Sequence, residues 1–357
     1  MLGKFIESLY TKVFVNVVVK GMYTLVYIEV VSKKSVVDSA QDSFETTGMN
    51  DEMYTFISEY TAQSPYYYIS TVDSSMEQGA VYSCSKDDFA LFANTDETAH
   101  KCYNDKWIYY SPKTDIEALK ERYAQVGLDF IFSPFVVLAD FFKDKIESHF
   151  AMFILVQNSN ITLSVFDNAT LLYSSYINNT QKEKDKKSED LQMEDESELD
   201  FSLDDGLGID LDSVNLDEID VDDELESLDD FGNIEDLDSV DELDDFSSSQ
   251  DLEEELIDEA NELESADNLS EERVEDVSFN EDYTRFLLIQ SAIDEFYKDD
   301  KYNSKFIENV YVADDAGVSS DFKKYLEEEM FLNVYVRKID LLSELCHLSK
   351  MELQDEV

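Results

Sequence analysis

The segment VYVADDAGVSSDFKKYLEEEMFLNVYV (Val310–Val336) decides the fold. Two runs rich in valine and tyrosine flank a tight loop and a charged run of helical length, so the sequence predicts strand, loop, helix and strand. Phosphate-binding loops in such units are rich in glycine, because glycine lets backbone amides approach an anion closely. Here the loop has a single glycine, Gly317, and two carboxylates, Asp314 and Asp315. The loop therefore combines the layout of an anion site with charges that repel an anion.

The composition divides the chain into two populations. Residues 181–280 hold 42 Asp and Glu but only 5 Lys and Arg, whereas the remaining residues hold 41 acidic and 22 basic side chains. A stretch with so much charge buries too little apolar surface to fold alone, while the flanks have enough to form a core. We predict a folded first part over 1–180, an acidic disordered insertion over 181–279 and a folded C-terminal part over 280–357.

Charge and cysteine content indicate the compartment and exclude some partners. The net charge of −56 argues against nucleic acid or anionic lipid as a direct partner. Cys84, Cys102 and Cys346 lack metal-ligand spacing, and any pairing leaves one over, so we predict unpaired, largely buried thiols in a reducing compartment. The apolar window over 13–31 is too interrupted to span a bilayer. The first residues are too polar for a secretory signal. We expect a soluble cytoplasmic protein.

Strand and helix signals alternate along the two flanks. Residues 13–19 and 24–31 predict a β-hairpin, and Asn50 predicts the N-cap of the helix that follows. Residues 150–177 predict a meander of three strands, and 280–299 predict a strongly amphipathic helix. This order indicates an α/β protein with mixed sheets and helices packed on them, interrupted by the insertion.

Two further helix starts are marked by short motifs. Thr114 and Glu117 have the spacing of a capping box. Ser133 followed by Pro134 fits an N-cap and first helical residue, because serine accepts a backbone hydrogen bond there and proline has no amide to lose.

The sequence contains no recognisable catalytic or metal-binding motif. The chain contains only nine glycines and no motif of a serine hydrolase, a zinc protease or a phosphate-binding P-loop. Calcium-loop spacing fails as well, since no glycine of the insertion has a carboxylate at the required first position. For Asp314 and Asp315 we expect a solvent-facing loop, with a magnesium-bridged pair as the alternative. We predict no catalytic residue, no cofactor and no metal.

The insertion itself admits two interpretations. Leu-Asp-Ser-Val occurs at 211–214 and again at 237–240, and single apolar residues punctuate the carboxylates throughout. One interpretation is a solvated, self-repelling tether. The other is a tether that carries short acidic-hydrophobic docking segments.

The order of elements and several local phrases resemble the actin-like cytoplasmic assembly proteins of type IV pili (the M protein) and the cytoplasmic domain of the type II secretion L protein. In that family a second-lobe meander reads apolar-Asp-x-Gly, then Thr-apolar-x-apolar, a turn and Leu-x-Tyr. This chain keeps Thr162 and Leu171-Leu172-Tyr173, but replaces the aspartate and glycine within Leu155–Asn158. Near the C-terminus the family has Gly-Gly after a strand, where this chain has the Asp-Asp-Ala-Gly loop that begins at Asp314.

The resemblance implies an actin/Hsp70-like ATPase fold of two lobes, with departures at the positions where the family contacts nucleotide. The degenerate cofactor positions are Asn158, Thr162, Asp314, Asp315 and Gly317. It implies a non-catalytic scaffold, or pseudo-ATPase, of a type IV pilus, type II secretion or DNA-uptake machine. Such a scaffold docks the cytoplasmic tail of a bitopic inner-membrane partner, and oligomers are possible. The insertion would recruit a basic protein.

Two alternative functions stay open at this point. One is an active ATPase of the same fold and machine. The other is an acidic adaptor that acts through residues 181–279, with the folded parts as spacers.

Overall fold

The computed structural model describes residues 10–178, 271–299, 302 and 304–355. Residues 181–270 of the predicted insertion (181–279) lie outside them, whereas 271–279 form the start of a helix, so the folded C-terminal part begins before the predicted boundary at 280. The parts on either side belong to one structural unit. In chain order, the first part contains β1 (Lys12–Lys20), β2 (Tyr23–Ser32), β3 (Ser35–Phe44), α1 (Asp51–Thr61), β4 (Tyr66–Val72), β5 (Gly79–Val81), α2 (Lys86–Phe89), β6 (Thr98–Tyr103), β7 (Trp107–Pro112), α3 (Lys113–Arg122), β8 (Phe130–Phe132), α4 (Pro134–Phe141) and α5 (Lys143–Ile146).

The second part begins directly after α5 and resumes beyond the undescribed stretch. It contains β9 (Phe150–Val156), β10 (Asn160–Asp167), β11 (Thr170–Asn178), α6 (Glu271–Lys298), β12 (Asn309–Asp314), α7 (Ser320–Lys324), a π-helical turn (Tyr325–Glu329), β13 (Asn333–Lys338) and α8 (Leu341–Asp355).

Two five-stranded sheets share one topology. In lobe 1 the strand order is β3-β2-β1-β4-β8, and in lobe 2 it is β11-β10-β9-β12-β13. In both lobes the first three strands form an antiparallel meander, and the last two add in parallel to the first strand of that meander. This duplicated arrangement of mixed sheets with flanking helices is the actin-like ATPase fold, so the predicted fold class is confirmed.

The lobes share one apolar interior, here called the inter-lobe core. It joins Val18 and Val72 of lobe 1 to Leu155 and Ala313 of lobe 2 through α4 and α8. Each sheet also has a separate apolar core on the face that points away from the inter-lobe core. Helix α6 packs on that face of the lobe 2 sheet, and helices α1 and α3 pack on that face of the lobe 1 sheet. Because the shared cluster removes apolar surface of both lobes from water, it favours their association in the folded chain.

The C-terminal helix α8 follows a strand of lobe 2 but packs on the sheet of lobe 1. Glu29 on β2 is buried there, and its carboxylate accepts from Lys350 Nζ at 2.7 Å and from the Cys346 thiol at 2.8 Å. Burial and this carboxylate raise the pKa of Cys346 to about 12, which keeps the thiol protonated. A buried carboxylate with two donors thus fastens α8 across the lobes.

Two of the three predicted helix starts agree with the structure. Asn50 accepts from the Met53 amide, and Ser133 caps α4 with Pro134 as its first residue. The capping box at Thr114 is wrong, because α3 begins at Lys113 and its N-cap position makes no side-chain hydrogen bond. The preceding strand β7 runs to Pro112, so the strand passes directly into the helix.

A small three-stranded sheet, ordered β5-β7-β6, is inserted between β4 and β8. It carries a disulfide between Cys84 and Cys102, whose Cα atoms are 5.6 Å apart. The prediction of unpaired thiols is therefore wrong for these two residues, because the fold brings together cysteines that are 18 residues apart. It is confirmed for the buried thiol of Cys346.

Replacing Phe153 by alanine should destabilise the chain strongly. Phe153 is fully buried in the inter-lobe core, and its ring lies 5.3 Å from Tyr311 and 5.6 Å from Phe142. We expect Phe153→Ala to lower the free energy of unfolding by about 3–5 kcal/mol in a urea titration. Phe306→Ala is the matched control, because Phe306 is 63% exposed and should change it by less than about 0.5 kcal/mol. Equal losses of unfolding free energy in Phe153→Ala and Phe306→Ala would contradict a core that the two lobes share.

Candidate functional site

The candidate site lies where strand ends from both lobes meet. β12 runs parallel to β9 with Asp314 opposite Val156, so the two strands end together. The amide of Asp315 donates to the Val156 carbonyl at 3.0 Å and fixes the loop after β12 to the end of β9. The last residue of β1, Lys20, reaches the same loop from lobe 1. In the family that the sequence resembles, this region contacts nucleotide.

Asp314 fills the loop that it begins. Its Oδ1 accepts from the backbone amides of Ala316, Gly317 and Val318 at 3.1, 2.8 and 3.1 Å. Three successive amides converging on one point form an anion-binding nest. Gly317 has a φ of +79°, which only glycine adopts without strain, and this lets the chain turn around the carboxylate. The nest is therefore occupied by a carboxylate of the same loop.

Asp315 joins the loop to lobe 1. Its Oδ1 lies 2.6 Å from Lys20 Nζ, which also donates to the Asp315 carbonyl at 3.3 Å. The carboxylate is 3% exposed and the lysine side chain 28%. Burial raises the pKa of Asp315 to about 6, although Lys20 acts in the opposite direction. One ion pair thus connects residues that are 295 positions apart.

The expectation of a solvent-facing loop is wrong. Asp314 is 5% exposed, and both carboxylates have partners inside the protein. The physical reason is that an aspartate can satisfy the amides of its own turn, which places its charge inward. The magnesium-bridged alternative stays untested, although the described residues contain no group of three potential metal-ligating side chains.

The other two predicted positions lie on the β9–β10 hairpin and not in this loop. Asn158 is exposed on the turn between β9 and β10. Thr162 is fully buried in β10, with β9 between it and β12. Its hydroxyl, like the Asn160 side-chain oxygen two residues earlier, has no hydrogen-bond partner among the described residues. The structure therefore gathers Asp314, Asp315 and Gly317 in one loop, and the side-chain hydrogen bonds of that loop do not involve Asn158 or Thr162.

A second layer behind the loop was missed by the sequence analysis. Asp282 on α6 is buried and accepts from the Ser319 amide at 2.8 Å and from Arg285 Nη1 at 2.6 Å. Ser319 in turn caps α7. The aspartate and arginine are three residues apart on one helix, and that spacing was the only available sequence signal.

A groove lies between the small sheet and lobe 1, with a volume of about 240 Å³. Ala99 of β6 and Ile131 of β8 line it, together with the charged side chains of Lys101, Lys120 and Asp129. This volume is below the roughly 300–1,000 Å³ of typical small-molecule sites. The groove has room for one or two side chains of an extended segment.

The buried end of this groove is organised by Asp73, which follows β4. Asp73 Oδ1 accepts from the amide and hydroxyl of Ser75 at 2.9 and 2.5 Å, and Ser111 of β7 donates to Oδ2. Gln78 Nε2 donates to the Asp73 and Ser75 carbonyls at 3.2 and 2.9 Å. These contacts tie the small sheet to β4, and they leave the carboxylate fully engaged as an acceptor.

The fold and the site define an actin-like protein in which the loop after β12 is filled by its own carboxylate. The chain belongs to the family of a domain of unknown function (DUF8341), whose model matches residues 152–354. A second domain of unknown function (DUF8569) matches residues 10–139. No protein among the curated sequences matches the chain.

Several solved structures are similar to the chain at low identity. A PilM–PilN type IV pilus biogenesis complex is 10% identical, with 93% of this chain and 89% of that chain covered and a TM-score of 0.47. The ethanolamine utilization protein EutJ from Carboxydothermus hydrogenoformans is 9% identical, with 91% and 84% covered and a TM-score of 0.40. A Bacteroides thetaiotaomicron protein with an actin-like ATPase fold and unknown function is 14% identical, with 54% and 79% covered and a TM-score of 0.32. The fold assignment rests on strand order, and no function follows from these likenesses.

In the part of the chain that the structure describes, no helix has both the length and the apolar character that a bilayer span requires.

The ionisation of Asp315 should be visible in the pH dependence of stability. Because its folded-state pKa is about 6 rather than 3.8, the folded chain binds the proton more tightly than the unfolded chain. Protonated Asp315 therefore stabilises the folded chain at low pH. About 3 kcal/mol of this stabilisation is lost as the pH rises from about 4 to about 6.

This loss can be measured as a difference between two proteins. The free energy of unfolding of the wild type minus that of Asp315→Asn should fall between pH 4 and pH 7, as followed by urea titrations at each pH. Glu59→Gln is the control, because Glu59 is an exposed carboxyl on α1. A flat or rising difference for Asp315→Asn would show that Lys20 outweighs burial.

Proposed function

We propose that the chain is a non-catalytic, actin-like scaffold, a pseudo-ATPase of a type IV pilus, type II secretion or DNA-uptake machine. The observation that carries this proposal is the Asp314 carboxylate within hydrogen-bonding distance of three loop amides. A phosphate that approached these amides would have to displace Asp314. It would also meet the negative charge of any ionised Asp315, a repulsion of a few kcal/mol near a protein surface.

The scaffold would dock the cytoplasmic tail of a bitopic inner-membrane partner, and so lie at the cytoplasmic side of that membrane. The choice of machine comes from the sequence resemblance, and one of the similar structures, the PilM–PilN complex, is a two-protein assembly from type IV pilus biogenesis. The small-sheet groove supports docking, because it has room for side chains of an extended segment and offers charges of both signs.

The proposed compartment and the observed disulfide have to be reconciled. In a reducing compartment the Cys84–Cys102 pair would be present as thiols. The small sheet would keep its strand pairs, because β5 and β6 both pair with β7 through the backbone.

Residues 181–279 would add a second contact by attracting a basic protein. Their charge supports this role, with 42 acidic and 5 basic side chains over 181–280. Oligomerisation on a membrane-bound partner would raise the effective concentration of these segments.

Nucleotide binding tests the non-catalytic part of the proposal. We expect titration calorimetry of the full chain with Mg²⁺-ATP and Mg²⁺-ADP to show no binding tighter than about 1 mM, which corresponds to about −4 kcal/mol. A micromolar dissociation constant together with ATP hydrolysis would contradict the non-catalytic scaffold and would support an active ATPase.

The groove can be tested with inverted inner-membrane vesicles from the native host. The chain should sediment with them, and should no longer do so after trypsin removes exposed tails. Ala99→Trp, which fills the groove, should abolish sedimentation. Ala40→Trp on the outer strand β3 is the matched control and should behave as wild type.

A deletion of 181–270, which leaves α6 intact, separates the scaffold from the adaptor. The scaffold predicts that the deleted chain stays folded and still sediments with vesicles. Loss of sedimentation in a folded deletion variant would favour an adaptor that acts through the acidic segment.

A further inference from the structure

The two large sheets end in edge strands that are protected differently. On β3, nine of ten residues are not buried, so this strand extends beyond the helices that cover lobe 1. Asp38 Oδ1 accepts from the Ser39 amide at 2.9 Å, and Asp42 Oδ1 accepts from the Ser43 amide at 2.8 Å. Carboxylates held against the edge amides block strand addition by occupying donors and by adding charge.

The other edge strand, β13, has an open backbone. Asn333 donates its amide to the Glu308 carbonyl at 2.8 Å, and Ile339 donates to the Asp314 carbonyl at 3.0 Å, so these residues point their amides toward β12. Backbone direction alternates along a strand. The amides and carbonyls of Val334, Val336 and Lys338 therefore point away from the sheet, and β13 pairs only with β12 among the described strands.

The face of lobe 2 beside this edge carries an aromatic ladder. The ring of Phe153 on β9 stacks on Tyr311 of β12 at 5.3 Å, and Tyr311 stacks on Tyr335 of β13 at 5.1 Å. The ladder ends at Tyr335, whose side chain is 52% exposed. A further strand would place a side chain directly beside Tyr335, at the spacing of a neighbouring strand.

The same edge is locally basic. Arg337 lies over the rings of Phe141 and Phe142 at 5.6 and 5.7 Å, and Lys338 follows it. Both are exposed, and neither has an ion-pair partner among the described residues. Two unneutralised cations at the end of an open strand are complementary to a carboxylate, in a chain whose net charge is −56.

We propose that the outer edge of β13 binds an extended, acidic segment of a partner protein as a sixth strand of the lobe 2 sheet. The outward groups of Val334, Val336 and Lys338 supply the main-chain hydrogen bonds. Tyr335 and Arg337 are two residues apart on one face, so the segment carries an aromatic or large apolar residue and, two positions away, a carboxylate. The outward groups of β13 point away from β12 and take no part in the contacts of the loop or of the groove, so this proposal is independent of the scaffold function.

A second copy of the chain is the less suitable occupant. Its acidic edge strand β3 has the right charge, but Asp38 and Asp42 already hold amides of that strand. Pairing would require those bonds to break first.

The test uses the full chain and two synthetic fluorescein-labelled octapeptides. Both alternate valine with tyrosine and a charged residue, which is glutamate in one peptide and lysine in the other. Fluorescence anisotropy is measured at about 0.15 M salt, where charges more than about 8 Å apart are screened. We expect saturable binding of the glutamate peptide, and at least tenfold weaker binding of the lysine peptide.

Three variants and one control locate the binding site. Val336→Pro removes an outward amide, a change that an edge strand tolerates, and Arg337→Glu reverses the charge. Each should weaken binding of the glutamate peptide at least tenfold. Tyr335→Ala removes the exposed end of the ladder and should weaken it severalfold, which keeps the test valid if the proline variant unfolds. Gln41→Pro on β3 is the matched control and should leave the affinity unchanged.

Several results would overturn the proposal. They are no saturable binding of the glutamate peptide, equal affinity for both peptides, or wild-type affinity in Arg337→Glu and Tyr335→Ala. Sedimentation velocity adds one more. If the wild-type chain self-associates and Val336→Pro abolishes this, the edge is an interface between copies.

Discussion

A carboxylate inside its own loop is the interaction on which the rest of the site depends. Asp314 ends β12 and accepts the amides of the three residues that form the turn. The turn then delivers Ser319 to the position where it caps α7 and receives support from Asp282 of α6. It also places Asp315 where Lys20 can reach it. With Asp314 in place, the backbone that could cradle an anion holds a fixed negative charge instead.

The two lobes are fastened at several points around the inter-lobe core. The ion pair of Lys20 and Asp315 connects β1 of lobe 1 to the loop after β12 of lobe 2. The ion pair of Glu29 and Lys350 connects the lobe 1 sheet to α8. At the small sheet, the Ser174 hydroxyl on β11 accepts from the Ala80 amide and donates to the Ala80 carbonyl. Each contact joins residues far apart in sequence, and together they link lobe 1 and its inserted sheet to strands and helices that follow it in the chain.

Much of the fold could be predicted from the sequence, because it rests on local signals. Alternating valine and aromatic residues gave the strands, and Asn50, Ser133 and Pro134 marked helix starts through hydrogen bonds within a few residues. Apart from the local capping box at Thr114, the failures described next concern contacts between distant residues. The pairing of Cys84 with Cys102 and the ion pair of Lys20 with Asp315 depend on the finished fold, and neither partner carries a local mark of the other.

The Asp-Asp loop shows the same limit within a single motif. Its composition correctly singled out Asp314, Asp315 and Gly317 as unusual, but composition does not give the direction of a side chain. The expectation of solvent exposure followed from charge alone, whereas three amides and one lysine direct both carboxylates inward.

Hydrogen–deuterium exchange at the amides of Ala316, Gly317 and Val318 tests the central claim most directly. If Asp314 holds these amides, they exchange slowly in the free chain, and adding millimolar Mg²⁺-ATP leaves their rates unchanged. Rapid exchange in the free chain that slows when Mg²⁺-ATP is added would contradict the account, because it would mean that the loop is open and that a phosphate fills it.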